Sequence, residues 1–445
     1  MIRKLLHRVF GKTPATRAPA LIPVDRHGVR RESISSGARQ VVGRLQESGH
    51  RAFVVGGAVR DLLAGIVPKD FDIATDATPE QVRAVFRRSR IIGRRFRIVH
   101  VMAGGETMEV STFRSSHDSE SGTDEHGRVL RDNVFGSQEE DAARRDFTVN
   151  ALYYNPGDET ITDYHHGVAD LKQRTLRMIG DPRRRYREDP VRLLRAVRMA
   201  SRLGLTIDPE ARTPIREMAE LLENVPAARL FDEMLKLLFS GHAVDCLRQL
   251  REEGLHHGLL PLLDVIMEQP LGERFVWLSL ADTDARVKAG KPVSPGFLFA
   301  TLLWHEALAN WEARKQHGED AVPALHAAMD EVLEIQGGKL AITRRIAGDI
   351  KDIWALQLRF ENHTGRRPFR LIEQPRFKAG LDFLLLRTES GELAPELAEW
   401  WQAFLAGDGE QRLALLSPEK KVARRRRRRR KGGAGDGDTP ATAGP

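Results

Sequence analysis

The sequence has 445 residues, 41% of them hydrophobic, and a single cysteine, Cys246. This length allows a buried core and about three domains, and one cysteine excludes both a disulfide framework and a zinc site built on thiolates. No apolar stretch approaches the roughly 18 residues that a membrane-spanning helix needs, so we expect a soluble, cytoplasmic protein.

The net charge of +8 is concentrated at one end of the chain. Residues 420–431 carry ten positive charges and no acidic residue, and Asp436 and Asp438 follow them, so residues 1–419 carry no net charge. A basic run of this kind cannot bury a core, and it favours contact with nucleic acid. The charge therefore predicts a neutral folded part with a disordered, arginine-rich tail at 418–445.

The first 35 residues are predicted to be a flexible basic segment. Residues 1–24 contain five basic residues and no acidic one, and they place Leu5, Leu6 and Val9 on one helical face. Such a segment could contact a membrane surface or nucleic acid. A frayed terminus without a function is the favoured interpretation.

Residues 36–155 are predicted to form an α+β head with a small mixed sheet and helices. Helical patterns at 35–49, 58–64 and 79–86 alternate with strand patterns at 51–55, 69–73, 98–102 and 108–112. Residues 115–127 contain no apolar side chain, so we expect a mobile loop there.

Beyond residue 156 the patterns are long and helical, and we expect no further strand. The prediction divides this part into a helical neck at 156–222 and a helical body at 223–417; a base-selecting motif in the neck and RNA binding by the body are implied by the family resemblance given below.

Asp70 and Asp72 are the first candidates for chemistry. Positions i and i+2 of a strand project to one face, so these two carboxylates should converge while Phe71 and Ile73 point into the core. Converging carboxylates bind hard divalent cations, and beside a nucleotide they support phosphoryl transfer. On its own an Asp-x-Asp pattern is also common among solvated turn residues.

A glycine pair precedes this motif. Gly56 and Gly57 end an apolar strand and open a helix, so backbone amides can approach phosphates closely. Arg60 lies one turn into that helix, where it could reach a triphosphate oxygen while Asp61 orients it. Strand, Gly-Gly, Arg-Asp and Asp-x-Asp together indicate a phosphoryl-transfer site.

Four segments in this order resemble the motifs of the class II template-independent nucleotidyltransferases, the superfamily of bacterial poly(A) polymerases and CCA-adding enzymes. The resemblance covers roughly residues 36–260. The segments are Phe53–Gly65, Lys69–Thr75, Arg144–Leu152 and Arg187–Arg195.

This resemblance implies that Asp70 and Asp72 are catalytic carboxylates that bind Mg²⁺, with Mn²⁺ as an alternative, and that ATP is a substrate. Glu109 and Asp146 are both candidates for a third catalytic carboxylate, and the sequence does not rank them. Without the family context, Glu109 would be a polar strand residue and Asp146 an ion-pair partner of neighbouring arginines.

The resemblance also assigns nucleotide-binding residues. Arg145 and Asn150 would contact triphosphate or ribose, and Asp189 with Arg192 would read the incoming base by accepting from and donating to its edge. Asp189 before Pro190 is also typical of a helix N-terminus, so a capping role can coexist with base reading.

Arginine-rich segments favour the polymerase branch of the superfamily. Residues 91–101, with Arg94 and Arg95, resemble a short motif that marks bacterial poly(A) polymerases, and residues 183–198 add a second basic stripe. The tail arginines are further RNA-binding candidates because backbone phosphates attract them without regard to sequence. They include Arg424, Arg425, Arg426 and Arg427.

The sequence therefore predicts a poly(A) polymerase that adds AMP from ATP to single-stranded RNA 3′ ends and releases pyrophosphate, in mRNA polyadenylation and RNA turnover. RNA-decay or RNA-chaperone proteins are further expected partners through the tail. A CCA-adding tRNA nucleotidyltransferase is the alternative, and a non-catalytic RNA-binding protein is the alternative from another class.

Overall fold

The computed structural model describes residues 18–93, 97–115 and 134–416. An α+β head built on an eight-stranded mixed sheet is followed by a mostly helical part, which confirms the predicted fold class. Several predictions fall outside these residues: the amphipathic pattern in residues 1–17, Arg94 and Arg95, most of the loop at 115–127, and the tail with Arg424 to Arg427.

The described part of the chain contains ten strands. They are β1 (Ala20–Ile22), β2 (Ala52–Val55), β3 (Asp72–Thr75), β4 (Ser89–Ile92), β5 (Ile98–Ala103), β6 (Glu106–Thr112), β7 (Leu152–Asn155), β8 (Thr160–Asp163), β9 (Thr175–Leu176) and β10 (Thr206–Ile207).

Twenty α-helices occur within the same described ranges. They are α1 (Val24–His27), α2 (Ser36–Glu47), α3 (Gly57–Leu63), α4 (Pro79–Val85), α5 (Gln138–Ala143), α6 (Gly167–Lys172), α7 (Pro182–Glu188), α8 (Val191–Leu203), α9 (Pro209–Glu217), α10 (Ala227–Leu238), α11 (Ala243–Glu252), α12 (Leu263–Glu268), α13 (Pro270–Lys288), α14 (Pro295–Gln316), α15 (Ala321–Gly337), α16 (Arg344–Phe360), α17 (Arg367–Ile372), α18 (Phe377–Glu389), α19 (Pro395–Ala406) and α20 (Gly409–Ala414).

The head sheet has the strand order β1-β8-β7-β2-β3-β6-β5-β4. Its neighbours are antiparallel except β3 and β6, which run parallel with Asp72 opposite Glu109. Parallel neighbours need a long crossover, and here the chain leaves β3 through α4 and the β4–β5 hairpin before it returns as β6. This crossover places β3 in the interior of the sheet.

Both faces of the central strands are covered. Val54 and Ile73 pack on one face in a cluster that includes Val41 of α2, and Val55 and Ala74 pack on the other face in a separate cluster. Strands buried on both faces read as continuous apolar runs, which is why β2 has the sequence Ala-Phe-Val-Val.

The prediction that no strand follows residue 156 was wrong. Strand β8 lies beyond the predicted head boundary at 155 and pairs with both β7 and β1, and β9 and β10 form a two-stranded parallel sheet further along. Strand β1 likewise interrupts the segment 1–35 that was predicted to be flexible. Strands of two to four residues are too short to produce a clear alternation in sequence.

Helices α8 to α16 share one large core. It is built around aromatic and leucine side chains, with Trp304 and Trp354 fully buried. A smaller cluster near the C-terminal helices contains Phe360, Trp401 and Phe404. Among the described residues, no helix combines the length and the apolar character that crossing a membrane would require.

Candidate active site

Asp72 begins β3 at the point where three strands meet. It pairs with Val55 of β2 on one side and with Glu109 of β6 on the other. Asp70 and Asp72 are exposed while Phe71 and Ile73 are buried, so the alternation expected from the sequence is present although Asp70 itself precedes the strand. The three carboxylates of Asp70, Asp72 and Glu109 are therefore close enough in the middle of the sheet to act on one another electrostatically.

The charge of Asp72 is held in an unfavourable environment. Loss of water within the surrounding pocket raises its pKa to about 6, the negative charges of Glu109 and Asp70 act in the same direction, and Arg145 opposes them. Within the described residues, neither Asp70 nor Asp72 has an ion-pair partner. Closely spaced carboxylates are the ligand type that hard divalent cations prefer.

Asp146 has a different environment, because both of its oxygens are already occupied. Oδ1 accepts from the backbone amide of Phe147 at 2.8 Å and from Asn150 Nδ2 at 2.9 Å, while Oδ2 accepts from Arg195 Nε at 2.8 Å and Nη2 at 2.5 Å. Burial alone would raise the pKa of Asp146, but Arg195 and these donors hold it well below its usual range.

Gly56 and Gly57 join β2 to α3. Gly56 has φ +72°, and a Cβ there would lie 3.3 Å from Arg145 Nη1, so both the backbone conformation and the space favour glycine. The helix begins directly after this turn and its first amides border the pocket. Helix α3, which is seven residues long, contributes these backbone amides to the pocket. Most of the positive charge of the pocket comes from the arginine side chains around the helix.

Arg60 is 3% exposed and is fixed by two partners. Its Nε and Nη2 donate to Asp61 Oδ1 at 2.8 and 2.6 Å, and its Nη1 donates to Asn150 Oδ1 at 2.6 Å. Burial lowers the pKa of Arg60, and Asp61 opposes that effect. The predicted orientation of Arg60 by Asp61 is present in this geometry.

Arg145 lies on the opposite wall. Its Nη2 donates to Asp141 Oδ2 at 2.9 Å, its Nε donates to the Tyr153 hydroxyl at 3.2 Å, and its guanidinium lies 5.3 Å from the centre of the Tyr153 ring. The Tyr153 hydroxyl in turn donates to Asp141 at 2.7 Å. These contacts hold Arg145 in place, and one edge of its guanidinium still lines the pocket.

These elements enclose a pocket of about 430 Å³, the size range of a nucleotide-sized ligand site. Six arginines and three aspartates line it, so its lining carries a positive formal charge that suits a triphosphate. Its lining residues are Gly56, Gly57, Arg60, Asp72, Arg145, Asp146, Asn150, Asp189, Arg192, Arg195, Arg198, Met199 and Arg202.

Asp189 and Arg192 lie where α7 passes into α8, and both line the pocket. Asp189 Oδ1 accepts from the Val191 amide at 3.3 Å, the capping contact expected before Pro190, and its Oδ2 accepts from Arg229 Nη2 at 2.6 Å. Arg192 Nη1 donates to the carbonyl of Arg185 at 2.7 Å. The two side chains thus have separate anchors and do not bond to each other.

Four arginines of this site were missed as functional residues. Arg195, Arg198 and Arg202 follow Arg192 at three- or four-residue steps along α8, and all of them face the pocket. Arg229 of α10 contacts Asp189. The helical spacing of the α8 arginines was visible in the sequence and is the signal that could have found three of them.

The four tyrosines of the chain pack mainly in the core. Tyr153, Tyr154 and Tyr186 are fully buried. Tyr164 is half-buried and packs edge-on against Tyr153, with ring centroids 6.3 Å apart. The structure therefore favours their packing role.

Three protein-family models match this chain. They are the poly(A) polymerase head domain at residues 52–177, the probable RNA- and SrmB-binding site of polymerase A at 204–267, and the polymerase A arginine-rich C-terminus at 317–432.

Individual relatives fall into two groups. Poly(A) polymerase I of Haemophilus influenzae is 45% identical over 399 residues, which is 87% of this chain and 88% of that protein. A CCA-adding enzyme of Levilactobacillus brevis is 40% identical over 201 residues, 45% of this chain and 49% of that protein. The first match spans head, neck and body, whereas the second spans less than half of the chain.

A solved structure shares the fold. The crystal structure of the Bacillus stearothermophilus CCA-adding enzyme in complex with CTP has a TM-score of 0.55 at 27% identity, covering 82% of this chain and 80% of that one.

Proposed function

This chain belongs to the poly(A) polymerase family, and from that membership we propose that it transfers AMP from ATP to RNA 3′ ends without a template. Pyrophosphate is the second product, and mRNA polyadenylation and RNA turnover are the setting. The observation that carries the polymerase assignment is coverage: the poly(A) polymerase I of Haemophilus influenzae matches 87% of the chain, whereas CCA-adding relatives match between 45% and 55% of it.

The chemical step is an in-line displacement. The 3′-hydroxyl oxygen of RNA forms a bond to the α-phosphorus of ATP, and the bond from that phosphorus to the pyrophosphate oxygen breaks. Asp70 and Asp72 would hold Mg²⁺, with Mn²⁺ as an alternative. When bound, these ions activate the attacking hydroxyl and neutralise charge on the leaving group.

Glu109 is the third carboxylate in this proposal. It lies opposite Asp72 in the parallel pair, its side chain is 55% exposed, and its charge contributes to the raised pKa of Asp72. Asp146 is less suited to metal binding because Arg195, Asn150 and the Phe147 amide already satisfy its oxygens. Asp146 positions the nucleotide-binding residues instead.

The nucleotide would lie along the arginine-lined pocket. The amides after Gly56 and Gly57, together with Arg60 and Arg145, bind the triphosphate, and Asn150 contacts it or the ribose. Asp189 and Arg192 at the other wall read adenine, the carboxylate accepting from the amino group and the guanidinium donating to the ring nitrogen. Their separate anchors leave each with a fixed orientation.

RNA is the proposed macromolecular partner. The match to a probable RNA-binding model at 204–267 supports this, and the basic run at 420–431 adds affinity that does not depend on sequence. RNA-decay or RNA-chaperone proteins that bind the tail are further proposed partners. The single cysteine supports a reducing, cytoplasmic location.

One assay separates this function from its rivals. ATP, CTP, GTP and UTP are each offered with an unstructured RNA and with a tRNA that lacks its 3′ terminus. We expect long extension with ATP on the unstructured RNA. Efficient CTP incorporation on the tRNA would instead identify a CCA-adding enzyme, and no incorporation of any nucleotide would favour a non-catalytic RNA-binding protein.

A further inference from the structure

A second group of ligating side chains lies outside the pocket, around the turn between α11 and α12. It consists of His256, His257 and Asp264, whose nitrogen and carboxylate ligand atoms all lie within 4.8 Å of one another. None of the three lines the pocket, and the proposed reaction uses none of them.

One carboxylate serves two imidazoles in this group. His256 Nε2 lies 2.8 Å from Asp264 Oδ1, and His257 Nδ1 lies 2.8 Å from Asp264 Oδ2. The two rings are adjacent, with centroids 3.9 Å apart. Each imidazole thus presents a nitrogen to a different oxygen of the same group, and the three ligand atoms face one another.

The group is partly pre-organised. His256 is 4% exposed and Leu255, Leu259 and Leu260 around it are buried, so the turn is anchored by the body core before any ion binds. The entropy lost when the site becomes ordered around an ion therefore comes mainly from His257, whose side chain is 67% exposed.

We propose that His256, His257 and Asp264 form a binding site for Zn²⁺ or a chemically similar transition-metal ion. Two imidazole nitrogens and one carboxylate make a nitrogen-rich ligand set, and such sets select Zn²⁺ over Mg²⁺, which prefers oxygen. A water molecule completes four-coordination. The ion ties the end of α11 to the start of α12, independently of the ions proposed at Asp70 and Asp72.

The test uses the full chain without a histidine tag, stripped of metal and held in millimolar Mg²⁺ so that oxygen sites are saturated. Zn²⁺ is titrated calorimetrically and Co²⁺ spectroscopically. We expect one Zn²⁺ per chain, a visible absorption band from four-coordinate Co²⁺, and a melting temperature that rises by a few degrees with Zn²⁺.

Matched variants locate the site. His257→Ala and Asp264→Asn should each weaken Zn²⁺ binding about tenfold or more and abolish the thermal shift. His317→Ala removes an exposed histidine outside the group and should bind like the wild type. The double change Asp70→Asn with Asp72→Asn should keep the stoichiometry of one.

Two results would overturn the proposal. One is the absence of one-to-one Zn²⁺ binding at micromolar concentrations in the wild-type protein. The other is unchanged binding in both His257→Ala and Asp264→Asn. Because the side chain of His257 is 67% exposed and that of Asp264 is 35% exposed, these variants should fold, and a circular dichroism spectrum verifies that they do.

Discussion

Arg202 of α8 donates to Asp61 of α3 across 2.7 Å, from Nη2 to Oδ2. This ion pair is one end of an unbroken series of side-chain bonds. Asp61 binds Arg60, Arg60 binds Asn150, Asn150 binds Asp146, and Asp146 binds a second arginine of α8 two turns earlier, Arg195. The helix α8, which also carries Arg192, the residue proposed to read the base, is thereby attached to the head at two points.

Arg202→Met should raise KM for ATP about tenfold with a smaller change in kcat. The substitution keeps the apolar stem of the side chain but leaves Asp61 with Arg60 as its only strong partner, so Arg60 loses part of its orientation. Steady-state kinetics on an RNA primer measure the effect. Arg202→Lys, which keeps the charge, should recover part of it.

Arg212→Met provides the control for that experiment, since Arg212 pairs with Glu253 outside the pocket. Equal kinetic changes in Arg202→Met and Arg212→Met would mean that the Arg202–Asp61 pair has no specific role in binding ATP.

Glu109→Gln should impair catalysis, whereas Asp146→Asn should destabilise the fold. Glu109 is largely exposed, so its substitution should lower kcat at least about a hundredfold and raise the Mg²⁺ requirement while the protein stays folded. Asp146→Asn leaves Arg195 without its buried partner and should lower the free energy of unfolding by about 3 kcal/mol. Urea titration and kcat at varied Mg²⁺ separate the two. If Asp146→Asn were stable and defective only in its response to Mg²⁺, Asp146 would be the third carboxylate.

Asp72→Asn should abolish activity and yet stabilise the metal-free protein. The pKa of Asp72 is raised to about 6, so the folded state binds its proton more tightly than the unfolded state and loses stability as pH rises from about 4 to 6. Asparagine has no carboxyl group to ionise, so the Asp72→Asn protein does not lose this stability as the pH rises. After allowance for solvent screening at this exposed side chain, we expect a gain of about 1 kcal/mol at pH 7.5.

Most of this gain should be lost near pH 4, where Asp72 is protonated in the folded state and partly protonated in the unfolded state. Thermal denaturation of wild type and Asp72→Asn in chelator at pH 4 and pH 7.5 tests this sign. A variant that is less stable than the wild type at pH 7.5 would contradict the charge environment described for this site.

Arg192→Ala should relax the choice among nucleotides more than it affects folding. Without its guanidinium, the pocket loses the donor proposed to distinguish adenine from other bases, so the ratio of kcat/KM for ATP to that for CTP should fall about tenfold. Arg184→Ala is the matched control, because Arg184 also contacts Glu188 but does not line the pocket. Unaltered selectivity in a folded Arg192→Ala protein would remove Arg192 from base reading.

Deletion of residues 419–445 should weaken RNA binding, flatten its dependence on salt and leave ATP binding intact. The deletion removes ten positive charges, and for every RNA phosphate that the tail no longer neutralises, the slope of log K against log salt falls by about 0.7 for a single strand. Deletion of 432–445 alone keeps the basic run and is the control. Equal RNA affinity in both truncated proteins and the full chain would show that the tail does not bind RNA.

Residues close in sequence were the predictable part of the site. The alternation around Phe71 and Ile73, the Gly-Gly turn before α3 and the Arg60–Asp61 contact all follow from local geometry, and the head helices lie within a few residues of their predicted bounds. The motifs also placed Asp189 and Arg192 near the same pocket as Gly56. Short hydrophobic periodicities and the order of the motifs are enough to predict these features.

Long-range pairing was not predictable. Nothing in one sequence states that β3 and β6 run parallel with Asp72 opposite Glu109, or that Asp146 finds Arg195 on another helix. Our proposal of Glu109 as the third carboxylate rests on those two pairings. The short strands β8 to β10 were missed because pairing, and not periodicity, defines them.

Strand β1 pairs with β8, and this register has a consequence for synthesis of the chain. Ala20 lies opposite Asp163, so the first of these strands to leave the ribosome has no neighbour until residue 163 has also emerged. Closing so long a loop is slow compared with forming the hairpins inside the head. This edge of the head sheet can therefore be completed only after the whole of β8 has been synthesised, although β1 is made before the other strands.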